Sequence, residues 1–194
     1  MRRVSGFLHP FRPINPGVGG EKAFLKSREA ALAALLAAIY AFGVTFLAPI
    51  SFELFQVRVA DMLLPLSIIF GLPAVIGLTL GTIVANISSP FGIIDIGGGA
   101  IANFIATFIA WKISRRWHFY GSQFTATLLE NIVITFIVGS YLQILIHIPD
   151  TGLFGVSIPG IAITWLGVFI GSFIAINIAG YALLKAVQLR VPKW

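Results

Sequence analysis

The sequence predicts an all-α integral membrane protein, a bundle of six transmembrane helices with both termini in the cytoplasm. Of its 194 residues, 58% are hydrophobic and only 10% are charged, and the mean hydropathy is +0.96. A soluble domain carries more charge on its surface, whereas a polytopic bundle in lipid has this composition. The basic residues do not cluster in aromatic-interleaved motifs of the kind that bind nucleic acid, so we expect the lipid bilayer, and no nucleic acid, as a partner.

Residues 1–28 are predicted to form a mobile basic tail on the cytoplasmic side, and residues 29–194 a single membrane domain. The tail contains six Lys and Arg residues and several Pro and Gly residues. These prolines, and the length of the apolar segment that follows, argue against a cleaved signal peptide. The chain contains no cysteine, which excludes disulfides and thiolate metal sites.

Six apolar segments are predicted to form the helices of the membrane domain. The second and third are about 14–15 residues long, which is roughly 21–23 Å at 1.5 Å per residue and shorter than a hydrocarbon core of about 30 Å. Gly71, Leu72 and Pro73 are expected to form a tight turn between them, and Pro65 is expected to kink the second helix. The segments cover approximately residues 29–48, 59–72, 73–87, 98–113, 123–146 and 159–184.

The distribution of Lys and Arg favours six crossings over five. If the second and third segments formed one broken helix, the chain would cross five times and a basic cluster would lie on the outer side. With six crossings, twelve of the thirteen basic residues lie in the tail or in the inner segments around 112–116 and 185–193, and Arg58 alone lies outside. Because Lys and Arg accumulate in cytoplasmic loops, this pattern predicts six spans.

The outer end of the predicted bundle is acidic. It holds four of the seven acidic residues: Glu53, Asp61, Asp95 and Asp150. This end suits the capture of a cationic solute or of one rich in hydrogen-bond donors, although depletion of Lys and Arg from outer loops explains Glu53 and Asp150 equally well. Arg58 and Asp61 stand three residues apart, where isolated charges are costly, so they most simply pair with each other.

Polar residues in the other predicted helices fall into two sets at different depths. The outer set is Asn86, Asn103, Gln143 and Trp165, and the inner set is Glu130 and Asn177. Amides in lipid also hydrogen-bond between helices, so the outer set holds candidates for a solute site, and the inner set remains open between structure and coupling. Asp95 precedes three glycines that are expected to begin the fourth helix, and it either caps that helix or contacts a ligand.

A stripe of alanines runs along the first predicted helix. It consists of two series with a spacing of four residues, Ala30, Ala34 and Ala38, and Ala33, Ala37 and Ala41. Small residues at this spacing let helix backbones approach closely, which is how helices associate in lipid. The stripe either packs within its own bundle or docks another membrane subunit.

Several motifs that carry enzyme chemistry are absent from the sequence. There is no Gly-x-x-x-x-Gly-Lys-Ser/Thr phosphate loop, so the chain does not hydrolyse nucleotides by that route. Neither His-Glu-x-x-His nor Gly-x-Ser-x-Gly occurs, and His9, His118 and His147 lack the spacing of metal ligands. The sequence therefore predicts no enzyme activity, no metal site and no cofactor.

Several motifs resemble those of the queuosine-precursor transporter (QueT-type) family. They are Ala48-Pro49-Ile50-Ser51-Phe52, Val57-Arg58-Val59-Ala60-Asp61-x-Leu-x-Pro, Gly77-Leu78-Thr79-Leu80-Gly81, Ala85-Asn86, Ser89-Pro90-Phe91-Gly92 and Asp95. The resemblance covers about residues 28–110 and includes charged and proline positions as well as apolar ones. Members of this family are substrate-binding S components of energy-coupling factor (ECF) vitamin transporters.

This resemblance implies a six-helix bundle that binds a 7-deazaguanine base from the outside. It also implies that the alanine stripe docks on a T component, which is driven by two cytoplasmic ATPase subunits. In such a site Asp61 or Glu53 would accept the donor-rich edge of the base in a bidentate manner, and Asn86 or Asn103 would meet its carbonyl. The base plane would stack on an aromatic ring, for which the candidates are Phe52, Phe55 and Trp165.

Other functions remain open on the sequence alone. The chain could be an S component for another small vitamin-like metabolite. A stand-alone secondary transporter would need a titratable relay across the membrane, for which Asp61 and Glu130 are the candidate pair. A purely structural membrane subunit would bind no solute at all.

Overall fold

The computed structural model describes residues 25–47, 58–116, 121–153 and 156–190. Most of the predicted tail (residues 1–24) lies outside these ranges, as do Glu53, Phe52 and Phe55. Within the described ranges the chain forms six helices and a short β-hairpin. Their bounds are α1 Ser27–Phe46, α2 Val59–Phe70, α3 Leu72–Asn86, α4 Gly92–Arg116, α5 Ser122–Ile146, β1 Thr151–Leu153, β2 Val156–Ile158 and α6 Gly160–Gln188.

Four of these helices, α1, α4, α5 and α6, are long and apolar enough to cross a membrane. The other two, α2 and α3, are apolar but shorter, as the sequence predicted. Large apolar side chains such as Phe42 and Phe46 point away from the bundle, with exposed fractions of 69% and 72%. Such a surface is stable in lipid and not in water, so the protein is a multi-pass membrane protein.

The helices form a closed ring. Along it α1 packs on α3, α3 on α4, α4 on α5 and α5 on α6, and α2 lies between α6 and α1. At one end of the bundle the starts of α2 and α4 meet the end of α3, where Arg58 contacts Asn86 and Asp95. The end of α5 joins them through a hydrogen bond from Tyr141 to Asp95. We call this the Arg58 end.

The opposite end of the bundle collects the remaining helix termini. There the start of α1 and the end of α4 line one cavity together with the α2–α3 turn. Lys185, near the end of α6, donates a hydrogen bond of 2.5 Å to Gln123 at the start of α5. Consecutive helices therefore run in alternating directions, and α1 begins at the same end at which α6 finishes.

Helix α2 is wound irregularly around its proline. Val59–Leu66 is a 3₁₀ helix, and only Ser67–Phe70 is α-helical. Pro65 has no N–H to donate, and its ring would clash with the carbonyl four positions earlier in a regular α-helix, so the α-helical winding is disfavoured here. The predicted break is confirmed at Gly71, which has a φ of +64°, a value that favours glycine. Leu72 and Pro73, which were predicted to belong to the turn, already lie in α3.

Helix α4 begins earlier than the sequence predicted. It starts at Gly92, so Asp95 lies within its first turn and the predicted role as a cap preceding the helix is wrong. Gly97, Gly98 and Gly99 are helical, and Gly98 and Gly99 allow close packing instead. A Cβ atom placed on Gly98 would lie 2.7 Å from Cε1 of Tyr141, so only glycine lets the tyrosine ring approach.

Helix α6 changes its winding halfway along, which the sequence did not predict. Gly160–Ser172 is α-helical, Phe173–Gly180 is a π-helix and Tyr181–Gln188 is α-helical again. The π-helix packs on the 3₁₀ helix of α2. A Cβ atom on Gly180 would lie 2.9 Å from the Met62 carbonyl oxygen and 2.9 Å from Cγ of Pro65.

The fold is of the predicted all-α class, with one short β-hairpin between α5 and α6 that the sequence did not predict. Strands β1 and β2 pair antiparallel, with Thr151 opposite Ile158. Next to the hairpin, the Gly160 N–H at the start of α6 donates to Oδ1 of Asp150 at 2.8 Å. Gln143 donates to the carbonyl of Ile148 at 2.9 Å. Both side chains thus have structural roles that account for their presence.

One of the two alanine series on α1 packs inside the bundle. A Cβ atom on Gly81 of α3 would lie 2.8 Å from the Ala37 carbonyl oxygen, and one on Gly77 would collide with the carbonyl oxygen of Ala33. Ala41 belongs to the same series and packs against the core. The other series, Ala30, Ala34 and Ala38, is exposed on the outside of α1.

Two glycine-to-alanine changes, one within the contact of α1 with α3 and one outside it, should have opposite effects on stability. Gly81→Ala should lower the stability by about 1–3 kcal/mol, because the added methyl group forces two backbones apart. Gly97→Ala should raise it by about 0.5–1 kcal/mol, because alanine is the better helix former and a Cβ atom there meets nothing within 4 Å. Denaturant unfolding in mixed micelles measures both, and equal effects at the two positions would contradict the packing.

Candidate functional site

A buried arginine joins three helices at the Arg58 end. Arg58 stands immediately before α2 and is 4% exposed. Its Nη2 atom donates to Oδ1 of Asn86 at 2.7 Å and contacts Oδ2 of Asp95 at 3.4 Å. The Asn86 amide donates in turn to the backbone carbonyl of Asp95 at 2.7 Å. A fourth helix enters through Tyr141, whose hydroxyl donates to Oδ1 of Asp95 at 2.5 Å.

A second chain of hydrogen bonds lies beside the first and centres on Asp61. The Tyr40 hydroxyl on α1 donates to Oδ1 of Asp61 at 2.6 Å. The amide of Asn103 on α4 donates to the Tyr40 hydroxyl at 3.0 Å and to the Thr82 hydroxyl at 2.5 Å. All four side chains are buried. This chain connects α1, α2, α3 and α4 through side chains alone.

A small cavity lies between these polar groups and an apolar wall. Its polar side is formed by Arg58, Asp61 and Asn103. The opposite side consists of residues from α5 and α6, namely Ile134, Val138, Val168 and Ser172. Its volume of about 10 Å³ is close to the minimum that holds one water molecule. A larger ligand could therefore enter only if the surrounding helices separate.

The two carboxylates near this cavity, Asp95 and Asp61, differ in their contacts. Arg58 is neutralised by the contact with Asp95. Asp61 receives one hydrogen bond from Tyr40, on Oδ1, and it lines the cavity. A carboxylate in this position favours partners that offer cationic groups or N–H donors.

The predicted pairing of Arg58 with Asp61 is wrong for the described residues, since the ion pair joins Arg58 to Asp95. The backbone explains the difference. Arg58 precedes the helix with φ −72° and ψ 89°, so its side chain does not follow the helical face of Asp61. It extends instead towards the start of α4.

The structure brings together most of the predicted site residues, namely Arg58, Asp61, Asn86, Asp95 and Asn103. Trp165 lies elsewhere. Its indole N–H donates to the Ser140 hydroxyl at 3.1 Å, its ring packs edge-on against Phe136, and it borders an apolar cavity between α5 and α6. Glu53 lies outside the described residues.

The inner predicted set occupies a different part of the bundle. Glu130 is fully buried and accepts a hydrogen bond of 3.3 Å from the Ser67 hydroxyl at the end of the 3₁₀ helix. Asn177, within the π-helix, donates to the Thr127 hydroxyl at 3.2 Å. Neither residue lines the polar cavity, and both connect α5 to the irregular segments of α2 and α6.

Sequence reasoning missed Tyr40, Tyr141, Thr82 and Ser172. The two tyrosines carried a usable signal, because each is a hydrogen-bonding side chain within an apolar helix, where a buried hydroxyl needs a partner. Thr82 and Ser172 carried none, since hydroxyls of this size are satisfied by their own helix. Thr82 indeed donates to the Leu78 carbonyl at 2.8 Å.

The described residues contain no group of three or more His, Asp or Glu side chains that could hold a metal ion. The polar cluster contains two carboxylates, Asp61 and Asp95, and a guanidinium that pairs with one of them. It lacks the set of side chains that a hydrolytic or metal-dependent site requires. The arrangement is suited to binding a polar solute.

Comparison with protein families decides the class of the protein. Residues 30–189 match the family described as "QueT: QueT transporter". The chain belongs to the QueT transporter family. It is therefore a multi-pass membrane transporter of a small molecule and not an enzyme. The match extends the predicted resemblance through α5 and α6. Neither a curated protein nor a solved structure matches the chain significantly.

The contact of Arg58 with Asp95 predicts strong energetic coupling. Asp95→Asn should lower the stability, because it removes a carboxylate that a buried cation contacts. Arg58→Gln should cost a similar amount, and the double variant less than the sum of the two. A double-mutant cycle of unfolding free energies should give a coupling energy of about 0.5–3 kcal/mol.

Asp150 provides the matched control for this cycle, because its carboxylate binds the Gly160 N–H and lies outside the Arg58 cluster. Asp150→Asn combined with Arg58→Gln should be additive to within about 0.5 kcal/mol. Additivity in the Asp95 cycle as well would show that the ion pair is not the link between α2 and α4.

Proposed function

We propose that this protein is the substrate-binding S component of an ECF-type importer for a queuosine precursor, a 7-deazaguanine base. The proposal rests on membership of the QueT transporter family and, above all, on Asp61, a carboxylate facing a cavity whose arginine is already paired. Such a component captures the solute from the outer face. A T component and two cytoplasmic ATPase subunits then supply the energy, because the chain has no nucleotide-binding motif of the P-loop type.

The proposed orientation has six membrane spans and both termini in the cytoplasm. In support of this orientation, α1 begins and α6 ends at the same end of the bundle, together with the end of α4. Most of the Lys and Arg residues follow or precede these helix ends in the sequence, as the positive-inside rule requires of a cytoplasmic side. The Arg58 end, with Asp61 and the cavity, then faces outwards.

The chemistry of the cavity fits a planar, donor-rich base. A 7-deazaguanine presents adjacent N–H groups on one edge, which a carboxylate accepts in a bidentate manner. Asp61 supplies that carboxylate, and the Asn103 amide lies beside it on the polar side of the cavity. Val138 and Val168 on the opposite wall offer apolar contact to the faces of the ring. Binding would require α5 and α6 to move away from α2 and α4.

The exposed series Ala30, Ala34 and Ala38 is the proposed docking face for the T component. The other series is covered by α3, which leaves the exposed one for close approach of a second helix. Without a hydrophobic driving force between helices in lipid, such small-residue faces provide the contact area for association. Ala33, Ala37 and Ala41 serve the bundle itself.

Replacing the carboxylate tests the substrate site. Asp61→Asn should weaken binding of a 7-deazaguanine base by roughly 10- to 100-fold, the loss of a charge-assisted hydrogen bond of about 1.5–3 kcal/mol. Isothermal titration of the purified chain measures the affinity, and mass spectrometry identifies any base that copurifies. Asp150→Asn, which removes a carboxylate outside the cavity, should bind the base like the original protein.

Two outcomes contradict the proposal in different ways. Copurification of a vitamin that is not a deazapurine would reject the substrate while leaving the S component role intact. Uptake by the chain alone in proteoliposomes, driven by a proton gradient and lost in Glu130→Gln, would instead establish a secondary transporter with Asp61 and Glu130 as its relay.

Bulky side chains on the exposed alanine face test the docking proposal. Ala34→Leu combined with Ala38→Leu should prevent copurification with the T component and the ATPases, because the helices can no longer approach closely. Base binding by the isolated chain should persist. Leu35→Phe, on the adjoining lipid-facing side where Leu35 is 56% exposed, should assemble normally. Assembly of the double variant would show that the T component docks elsewhere.

A further inference from the structure

A second polar cavity lies at the end of the bundle opposite Arg58. It has a volume of about 150 Å³ and is lined by two arginines, a glutamate and four apolar residues: Arg28, Glu29, Leu32, Ile69, Phe70, Pro73 and Arg115. These residues come from the start of α1, the α2–α3 turn and the end of α4. The cavity is therefore far from the proposed solute site, and the transport function described above does not use it.

The charge of this cavity is positive. Arg28 and Arg115 contribute two guanidinium groups, and Glu29 contributes one carboxylate. The Glu29 carboxylate is engaged locally, since Oε2 accepts the Lys26 backbone N–H at 2.9 Å. The remaining groups complement one negative charge, and guanidinium groups match phosphate oxygens in geometry.

Aromatic and basic side chains place the cavity at the boundary between lipid and water. The Arg115 guanidinium lies 5.4 Å from the centre of the Trp111 ring, and Nζ of Lys112 lies 4.3 Å from it. Tryptophan with Lys and Arg around it is typical of the interfacial layer of a membrane protein. The apolar wall formed by Leu32, Ile69 and Phe70 continues from this layer into the bundle.

An occupant must therefore combine a single negative charge with an apolar part, and it must be available at the membrane interface. Residues 1–24 of this chain do not fit, because they carry four Lys and Arg residues against one Glu. An anionic phospholipid fits, with its phosphate between the arginines and the start of an acyl chain along the apolar wall. We propose that this cavity is a binding site for the headgroup of an anionic phospholipid.

Native mass spectrometry of the purified full-length chain tests this site with two lipids of identical acyl chains, phosphatidylglycerol and phosphatidylcholine. The original protein should retain phosphatidylglycerol preferentially. Arg28→Gln combined with Arg115→Gln should weaken that binding by about 30-fold, since each basic residue near an anionic membrane contributes about 1 kcal/mol. Retention of both lipids to the same extent by the original protein would overturn the proposal.

Two further variants distinguish lipid binding within this cavity from general attraction of anionic lipids by the positive charge at this end. Lys185→Gln combined with Arg190→Gln removes the same net charge at the same end but outside the cavity, and it should keep the preference for phosphatidylglycerol. Ile69→Trp fills the cavity without changing the charge and should lose the preference. An equal loss in the Lys185 and Arg190 variant would show that only the overall charge matters, against the proposal.

Two other occupants give distinct results. If free phosphate compounds were the ligand, glycerol 3-phosphate would displace phosphatidylglycerol from the original protein, which would reject the lipid. If the cavity received an acidic segment of a partner subunit, the two arginine substitutions would reduce complex assembly without changing lipid preference in the isolated chain. Binding of the base, measured on the same variants, checks the fold and is independent of this proposal.

Discussion

The contact of the Arg58 guanidinium with Asn86 and Asp95 is the constraint on which the Arg58 end of the bundle depends. A cation buried to 4% exposure is stable only while its counterion and hydrogen-bond acceptors stay in place. Arg58 lies just before α2, Asn86 at the end of α3 and Asp95 at the start of α4. Their contact therefore fixes the relative positions of these three helices along the axis of the bundle. Tyr141 extends the constraint to α5. Because this cluster pairs Asp95 with the cation, Asp61 is the carboxylate that faces the cavity of the proposed solute site.

Packing in the rest of the bundle relies on small residues and hydrogen bonds, because burial of apolar surface gains little in lipid. Gly77 and Gly81 let α3 approach the α1 backbone at Ala33 and Ala37. This close contact is also what brings Tyr40, on the same helix, within reach of Asp61. The small-residue face and the polar network are therefore parts of one arrangement, in which backbone proximity positions the hydroxyl.

The sequence predicted the features that depend on local properties, such as the apolar segments, the turn at Gly71 and the gathering of polar residues at one end. It did not predict features that depend on which groups meet in space. Arg58 lies nearest in sequence to Asp61, yet its backbone conformation before the helix directs it to Asp95. The start of α4 was misplaced because Gly98 serves the approach of Tyr141, and Gly99 that of Asn86, rather than the helix terminus. The π-helix has no local signature, since its winding accompanies the packing of Gly180 on α2.

The position of Tyr40 links the proposed docking face to the proposed solute site. It lies two residues beyond Ala38 on α1, and its hydroxyl joins Asp61 to Asn103. A helix moves as a rigid element over so short a distance, so if the proposed docking subunit displaced α1, the hydrogen bond from Tyr40 to Asp61 would change with it. On the other side of the cavity, Ser172 is the last residue before the π-helix, which packs on the helix that carries Asp61. The cavity thus lies between polar side chains of α2 and α4, which Tyr40 of α1 joins through hydrogen bonds, and the wall formed by α5 and α6.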